Sequence, residues 1–184
     1  ITLVTREGSR EVYDDIARIS LTPKGEILID GKENEGAETD RRTPRQEVRV
    51  HTSELVVPKG KRAHLQLSDG TRVWINSASV LRFPSAFGDT RDVFVEGEAY
   101  FEVAKDAKKP FVVQAGEIDV EVLGTCFDLD SYSSGEFVET ALLSGSVKIS
   151  GKALKDPVYL KPNELFRYRK SDQTASVEEA KVGL

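Results

Sequence analysis

The stretch Val93-Phe94-Val95-Glu96-Gly97-Glu98-Ala99-Tyr100-Phe101-Glu102-Val103 decides the fold class. Val93, Val95, Gly97, Ala99, Phe101 and Val103 occupy every second position, and Phe94, Glu96, Glu98, Tyr100 and Glu102 fill the gaps. A strand points successive side chains to opposite faces, so this alternation reads as one half-buried strand with an apolar face and an acidic face. The same period recurs downstream. Ile118, Val120 and Val122 alternate with Asp119 and Glu121; Phe127 and Leu129 with Asp128 and Asp130; Val147 and Ile149 flank Lys148. Leu65 and Leu67 precede Ser68-Asp69-Gly70-Thr71, and Val73-Trp74-Ile75 follows it. Asp-Gly between two β-type runs predicts a hairpin, because glycine tolerates the positive φ that such turns require.

Turn residues punctuate the chain at short intervals. They include Pro23-Lys24-Gly25, Asp30-Gly31, Pro58-Lys59-Gly60, Phe87-Gly88-Asp89, Ala115-Gly116-Glu117, Ser133-Ser134-Gly135, Ser144-Gly145 and Pro162-Asn163. Short strands between frequent turns predict an all-β fold, either a twisted sandwich or a short solenoid of stacked hairpins. Little helix is expected, at most a turn near Tyr13–Arg18 or Asn76–Leu81. Leu3–Arg10 resembles Leu65–Arg72, and Val57-Pro58-Lys59-Gly60 echoes Lys161-Pro162-Asn163-Glu164, which suggests repeated strand–turn–strand units.

The chain has 184 residues, a size that suits one ordinary domain, or one domain with a short appendage. Lysine and arginine number 26 against 31 aspartates and glutamates, a net charge of −5. That balance argues against a nucleic-acid binder, which presents a basic face. A hydrophobic fraction of 39% suffices for a core. No run of 18 apolar residues exists, so no helix here is expected to span a bilayer. Methionine is absent, and Ile1–Arg10 is too polar for the apolar core of a signal peptide. The sequence is therefore expected to be a piece of a longer chain whose targeting or anchoring parts lie elsewhere. Residues 31–45 are nearly free of apolar side chains and are expected to form a polar loop.

No residue set predicts catalysis. Glu96 and Glu98 lie two apart on the presumed strand, ~7 Å on one face, a spacing that overlaps that of glycosidase carboxylates. The ordinary reading is a solvent face that Glu102 continues. One cysteine, Cys126, and two histidines, His51 and His64, carry no surrounding catalytic motif. Cys126 reads as a small strand hydrophobe. The single cysteine excludes an internal disulfide and makes a cysteine-rich zinc site unexpected. Asp128 and Asp130 share a strand face without the Asp-x-Asp-x-Asp-Gly loop that calcium favours, leaving only a weak surface site open. Trp74, Tyr100 and Tyr132 could stack on a sugar, but aromatics on strands more often pack across the sheet. No cofactor is implied. A binding or sensing module is favoured, with a carbohydrate-binding or glycan-processing β-domain as the alternative and a structural spacer as a third reading.

Several motifs in order carry a family resemblance. Val57-Pro58-Lys59-Gly60 opens the run. Leu65-Gln66-Leu67-Ser68-Asp69-Gly70-Thr71-Arg72-Val73-Trp74-Ile75-Asn76-Ser77-Ala78-Ser79 follows, then Phe83-Pro84 with Phe87, then Val95–Val103 and Pro110–Val113. Leu123-Gly124-Thr125-Cys126-Phe127-Asp128, Leu142–Val147 and Leu160-Lys161-Pro162-Asn163-Glu164 complete it. The stretch 55–150 resembles the periplasmic domain of the ferric-citrate sensor (FecR) family of anti-sigma factors, in its Bacteroidetes branch. Pro58, Gly60, Asp69, Gly70, Trp74, Asn76, Gly97, Glu98, Phe101, Gly124, Phe127 and Gly145 are its motif positions here. They read as fold-forming: a hairpin turn at Asp69-Gly70, a core-edge anchor at Trp74, close approach or a bulge at Gly97.

The resemblance implies a non-enzymatic periplasmic part of an inner-membrane protein. It divides the chain into a β extension, 1–54, and a FecR-like β domain, 55–184. It further implies a cytoplasmic anti-sigma segment that meets the sigma factor, one membrane helix and a C-terminal signalling-type lobe, all outside this sequence. The implied partner is the signalling domain of a TonB-dependent outer-membrane transducer, whose signal passes to an extracytoplasmic-function sigma factor.

Overall fold

The computed structural model describes residues 1–5, 8–11, 16–24, 26–29, 32–33 and 50–180. Among them the chain is all-β, with nineteen strands and no helix. In chain order the strands are β1 Thr2–Thr5, β2 Gly8–Glu11, β3 Ile16–Leu21, β4 Ile27–Ile29, β5 Lys32–Glu33 and β6 Thr52–Val57. Then come β7 Arg62–Gln66, β8 Arg72–Ile75, β9 Ser79–Pro84, β10 Arg91–Glu96, β11 Glu98–Glu102 and β12 Phe111–Ala115. β13 Ile118–Val122, β14 Cys126–Asp130, β15 Phe137–Ser144, β16 Val147–Gly151, β17 Val158–Leu160, β18 Glu164–Arg169 and β19 Thr174–Glu179 follow.

The strands form two sheets. Sheet A runs β2-β1-β6-β9-β10-β12-β13-β16-β17, and sheet B runs β5-β4-β3-β7-β8-β11-β14-β15-β18-β19. The chain lays one to three consecutive strands in a sheet, crosses to the other, and from β6 onward advances along both in the same direction. Sandwich and solenoid thus describe one object: two sheets wound from hairpins around a shared core. Among the described strands only β3–β7 and β10–β12 pair in parallel. The first strands continue both sheets, β1 beside β6 and β3 beside β7.

The core lies between the sheets. Leu3, Leu55, Leu65, Val73, Leu81, Phe101, Phe111, Val113, Val120, Phe127, Ile149, Phe166 and Tyr168 are all fully buried there. Phe101 stacks on Phe127 with centroids 5.0 Å apart and meets Phe111 edge-on at 6.1 Å. Offset and edge-on aromatic pairs add to the burial of apolar area.

The stretch 93–103 is two strands. β10 ends at Glu96 in sheet A and β11 begins at Glu98 in sheet B. Burial nevertheless alternates without interruption from Arg91 to Val103. Both sheets turn their inner faces to one core, so a chain that changes sheet at a corner keeps its period. Gly97 makes that corner with φ +111, and a Cβ there would lie 2.2 Å from Ser79 Oγ and 2.7 Å from Ser79 Cα. Only glycine fits both constraints.

Two further expectations are corrected. No helical turn forms at Asn76–Leu81: Ser79 opens β9, and burial alternates along it. Ile16–Arg18, within the other candidate turn, belongs to β3, while residues 12–15 lie outside the described residues. The polar loop 31–45 also lies outside them, apart from Lys32–Glu33 in β5. The Leu3 and Leu65 copies are hairpins in opposite sheets, so their likeness is one of turn chemistry. The Pro58 and Pro162 turns, by contrast, both carry the chain from sheet A to sheet B. Lys61 N–H reaches Pro58 C=O at 3.2 Å, and Glu164 N–H reaches Lys161 C=O at 3.1 Å. Gly60 and Asn163 hold the matching positive φ, 78° and 68°. The structural equivalence is thus one residue out of step with the sequence echo.

Candidate functional site

The outward face of sheet B gathers most of the chemistry-bearing side chains. Inward residues such as Val73, Ile75, Ala99, Phe101, Phe127 and Leu129 fix the parity of their strands, so the residues between them point out. One register row crosses five strands: Arg18 opposite His64, His64 opposite Trp74, Trp74 opposite Tyr100, Tyr100 opposite Asp128. Trp74 lies 4.7 Å from the His64 ring and 5.5 Å from Tyr100, with the Arg72 guanidinium 5.7 Å over its face. Trp74 is 37% exposed. The expectation that it anchors a core edge is therefore corrected: neighbouring Val73 and Ile75 take the inward positions of β8, and Trp74 packs across the outside of the sheet instead.

The row is charge-graded. Arg18 and Arg72 flank its aromatic start, and burial together with those two cations holds the His64 pKa below its ordinary value. The far end is acidic. Glu98 pairs with Asp130, and Asp130 with Glu139, in the adjacent row. Burial, then the charges of Glu98 and Asp130, push the carboxyl of half-buried Asp128 up to about 6. Asp130 is raised as well, by burial first. Among the described residues no group of three or more His, Cys, Asp or Glu side chains is placed to hold a metal ion.

The corner at Gly97 is a polar knot joining the sheets. Asn76 Nδ2 donates to Glu98 Oε2 at 2.9 Å, and Asn76 Oδ1 accepts the Ser77 N–H at 2.9 Å. Ser79 Oγ accepts the Glu98 N–H at 3.0 Å. Tyr132 OH donates to Ser77 C=O at 2.7 Å, and Ser131 Oγ to Gly97 C=O at 3.1 Å. Tyr132 is thus committed to the corner, apart from the Trp74–Tyr100 pair. Glu96 and Glu98, expected side by side on one strand face, sit on different sheets across this corner. Glu98 faces Asn76 outside sheet B. Glu96 lines a cleft of about 390 Å³ with Glu117, Ser131, Tyr168 and Lys170. The paired-carboxylate geometry does not form.

Cys126 is half-buried on the outer face of β14, opposite Glu102, rather than packed in the core. His64 stands on β7, three strands away, ~14 Å at the ordinary strand spacing. No cysteine–histidine pair arises from them. His51 precedes β6 and brackets Ser85, its N–H donating to Ser85 Oγ at 3.1 Å.

The remaining motif positions are structural in placement. Pro58 and Gly60 form the β6–β7 turn, and Phe101 and Phe127 fill the core. Gly124 lies against Lys105, and Gly145 against Thr125 at the β15–β16 corner. Asp69 does more than shape its turn. The loop Ser68-Asp69-Gly70 is closed by Leu67 N–H to Thr71 C=O at 2.8 Å, and Asp69 Oδ1 accepts the Thr71 N–H at 2.9 Å. Asp69 Oδ2 also takes the Arg91 guanidinium at 2.8 Å. Arg91 is 2% exposed, and the sequence reading passed over it. Its alternation with Val93 and Val95 was the available signal: a cation on the inward side of a strand needs a buried anion.

Comparison with known proteins bears on identity. The FecR protein family model matches residues 53–148. Two crystal structures of a candidate anti-sigma factor from Parabacteroides distasonis, at 2.50 and 1.65 Å resolution, share this fold. The first superposes with a TM-score of 0.67 at 32% identity over 70% of this chain and 60% of that one. The second gives 0.66 at 32% identity over 68% and 59%. The chain thus spans about three fifths of the length of those structures. No curated protein sequence matches it. With the family pattern covering more than half of its residues, the chain belongs to the FecR protein family.

Proposed function

We propose that the chain is the periplasmic signalling module of an anti-sigma factor. It would relay the state of a TonB-dependent outer-membrane transducer to an extracytoplasmic-function sigma factor. The observation that carries this reading is the family match over residues 53–148, together with 32% identity to a candidate anti-sigma factor over 70% of the chain. The N-terminal 54 residues act with residues 55–184 in this reading, since β1 and β3 extend the two sheets of the later strands.

The mechanism needs no bond-making. A signal passes when a partner contacts one state of the receiver more favourably than another. A two-sheet body with a continuous core moves as a unit, because close-packed interiors transmit displacement rather than absorb it. Such a body suits a lever between a docking surface and a membrane anchor. The glycan reading loses its carboxylate pair at the Gly97 corner and keeps only the Trp74–Tyr100 aromatic pair. The test is signalling in cells. Deleting residues 1–150 from the full protein is expected to uncouple the sigma factor from the transducer, whereas unchanged induction would reduce this body to a spacer.

A further inference from the structure

The cleft beside the Gly97 corner carries charge that the fold does not answer. Four outward glutamates meet a cation on a neighbouring strand: Glu54 meets Arg82, Glu102 meets Arg72, Glu121 meets Lys148 and Glu139 meets Arg167. Glu96 does not. It ends β10, where its partner on β9 is Val80 and the ladder to β12 has already stopped at Phe94 opposite Gln114. The carboxylate is half-buried, and among the described residues no hydrogen bond or ion pair reaches it. A carboxylate partly removed from water is costly to hold until a counter-ion arrives.

The rest of the cleft is arranged around that carboxylate. Glu117, exposed at the β12–β13 turn, is oriented by fully buried Tyr168, whose hydroxyl donates to Glu117 Oε2 at 2.8 Å. Lys170 does not neutralise the two glutamates. Its ammonium donates to Tyr132 C=O at 2.5 Å and to Gly135 C=O at 2.8 Å, which fixes the loop that forms one wall. Phe94 and Val138 line the cleft with apolar surface, and its volume is about 390 Å³. Apolar walls combined with two carboxylates fit a lysine or an arginine, whose aliphatic stem packs on apolar surface while its charged head stays in polar surroundings. The cleft lies at the Lys170 end of the β18–β19 hairpin. Ala180 lies at the other end, its N–H bonded to Asn163 C=O, roughly 20 Å along the strand.

We propose that this cleft receives one basic side chain, a lysine or an arginine, from the protein partner, its head at Glu96 and Glu117 and its stem against Phe94 and Val138. This rests on the reading that the chain receives its signal from a protein. Charge complementarity selects the occupant: two carboxylates face one lysine whose ammonium is already shared by two carbonyls. A charge-assisted hydrogen bond to a carboxylate is the strong kind, so a cation gains most there.

Glu96→Gln and Glu117→Gln, combined, test it. Both keep the side chain's size, and a glutamine at 117 still accepts from Tyr168. First, Nα-acetyl-arginine amide and Nα-acetyl-lysine amide are titrated into the chain beside the neutral Nα-acetyl-norleucine amide, with backbone amide NMR shifts as the readout. The basic probes are expected to shift the amides of Glu96, Glu117 and Ser133 saturably, and the double variant to bind them at least about tenfold more weakly. No shift at these amides, or an equal response to the norleucine probe, overturns the cleft, and that comparison needs no variant. Second, the full protein in detergent micelles is titrated with the isolated signalling domain of a TonB-dependent transducer from the same genome. The double variant, with its thermal melting unchanged, is expected to bind at least about tenfold more weakly than wild type. Equal affinity overturns the cleft and leaves the proposed function standing. No binding by the wild type overturns the proposed function and the partner assigned here with it. A concentration-dependent dimer that the double variant abolishes would put a basic side chain of a second copy in the cleft and overturn that partner.

Discussion

Arg91 Nη1 lies 2.8 Å from Asp69 Oδ2, linking the first residue of β10 in sheet A to the β7–β8 turn of sheet B. Arg91 also donates from Nε to Lys109 C=O at 2.8 Å and from Nη1 to Ala104 C=O at 2.7 Å, and its guanidinium lies 5.4 Å from the Phe111 centroid. The pair clips one end of the two sheets together. Removing one partner leaves a buried charge without its counter-ion, which typically costs about 3–5 kcal/mol. Asp69→Ala is therefore expected to lower stability by about that amount in urea unfolding at neutral pH. A loss under about 1 kcal/mol, the range of exposed ion pairs, would show that the clip is slack.

Gly97 should tolerate no side chain. A methyl there meets Ser79 backbone as well as its hydroxyl, at a φ that L-residues rarely adopt. Gly97→Ala is expected to lower the melting temperature strongly, and Ser79→Gly should restore little of it, because Ser79 Cα remains 2.7 Å from the new methyl. Full rescue by the double substitution would mean that the corner is set by the serine side chain alone.

Trp74→Ala separates an outer-face ring from a core ring. Deleting a buried Trp costs about 3–5 kcal/mol, whereas cross-strand contacts on an open face contribute about 0.2–1 kcal/mol each. Two such contacts, to His64 and Tyr100, predict a loss of about 0.4–2 kcal/mol in chemical unfolding. A larger loss would place Trp74 in the core after all.

Trp74 also shows where the sequence could be read and where it could not. Its neighbours Val73 and Ile75 already announced the inward parity of β8, but a lone tryptophan in a strand suggests core by its size. Strand parity wins, because a one-residue slip would expose Val73 and Ile75 together. The all-β class, the turns at Asp69-Gly70 and Pro58–Gly60, and most inward residues followed from period and turn chemistry. The sheet change inside 93–103 did not, since two sheets facing one core keep a single alternation across the corner. Gly97 was the only local mark of it, and glycine within a strand marks several other features. The Asp69–Arg91 clip and the continuation of the row from Trp74 to Tyr100 and Asp128 join residues further apart in sequence, and periodicity carries no information about which strands become neighbours.

Asp128 gives a pH signature. Its folded pKa, about 6, lies above the unfolded value near 3.8. A carboxyl raised by folding binds its proton more tightly in the folded state, so its contribution favours folding at low pH. That advantage is lost as pH rises from about 4 to about 6. Asp128's own contribution is expected to fall by about 1–2 kcal/mol across this window, allowing for partial solvent screening, so Asp128→Asn should lose less stability than the wild type between about pH 4 and about pH 6. Identical profiles for the two proteins would show that Asp128 is ionised without penalty.

The central claim is that this body receives a signal from a protein. Calorimetric titration of the chain with the isolated signalling domain of a TonB-dependent outer-membrane transducer from the same genome, the partner proposed above, tests it most directly. The account predicts saturable binding with one site per chain. No heat of binding, with both proteins shown folded by cooperative thermal melting, would contradict it.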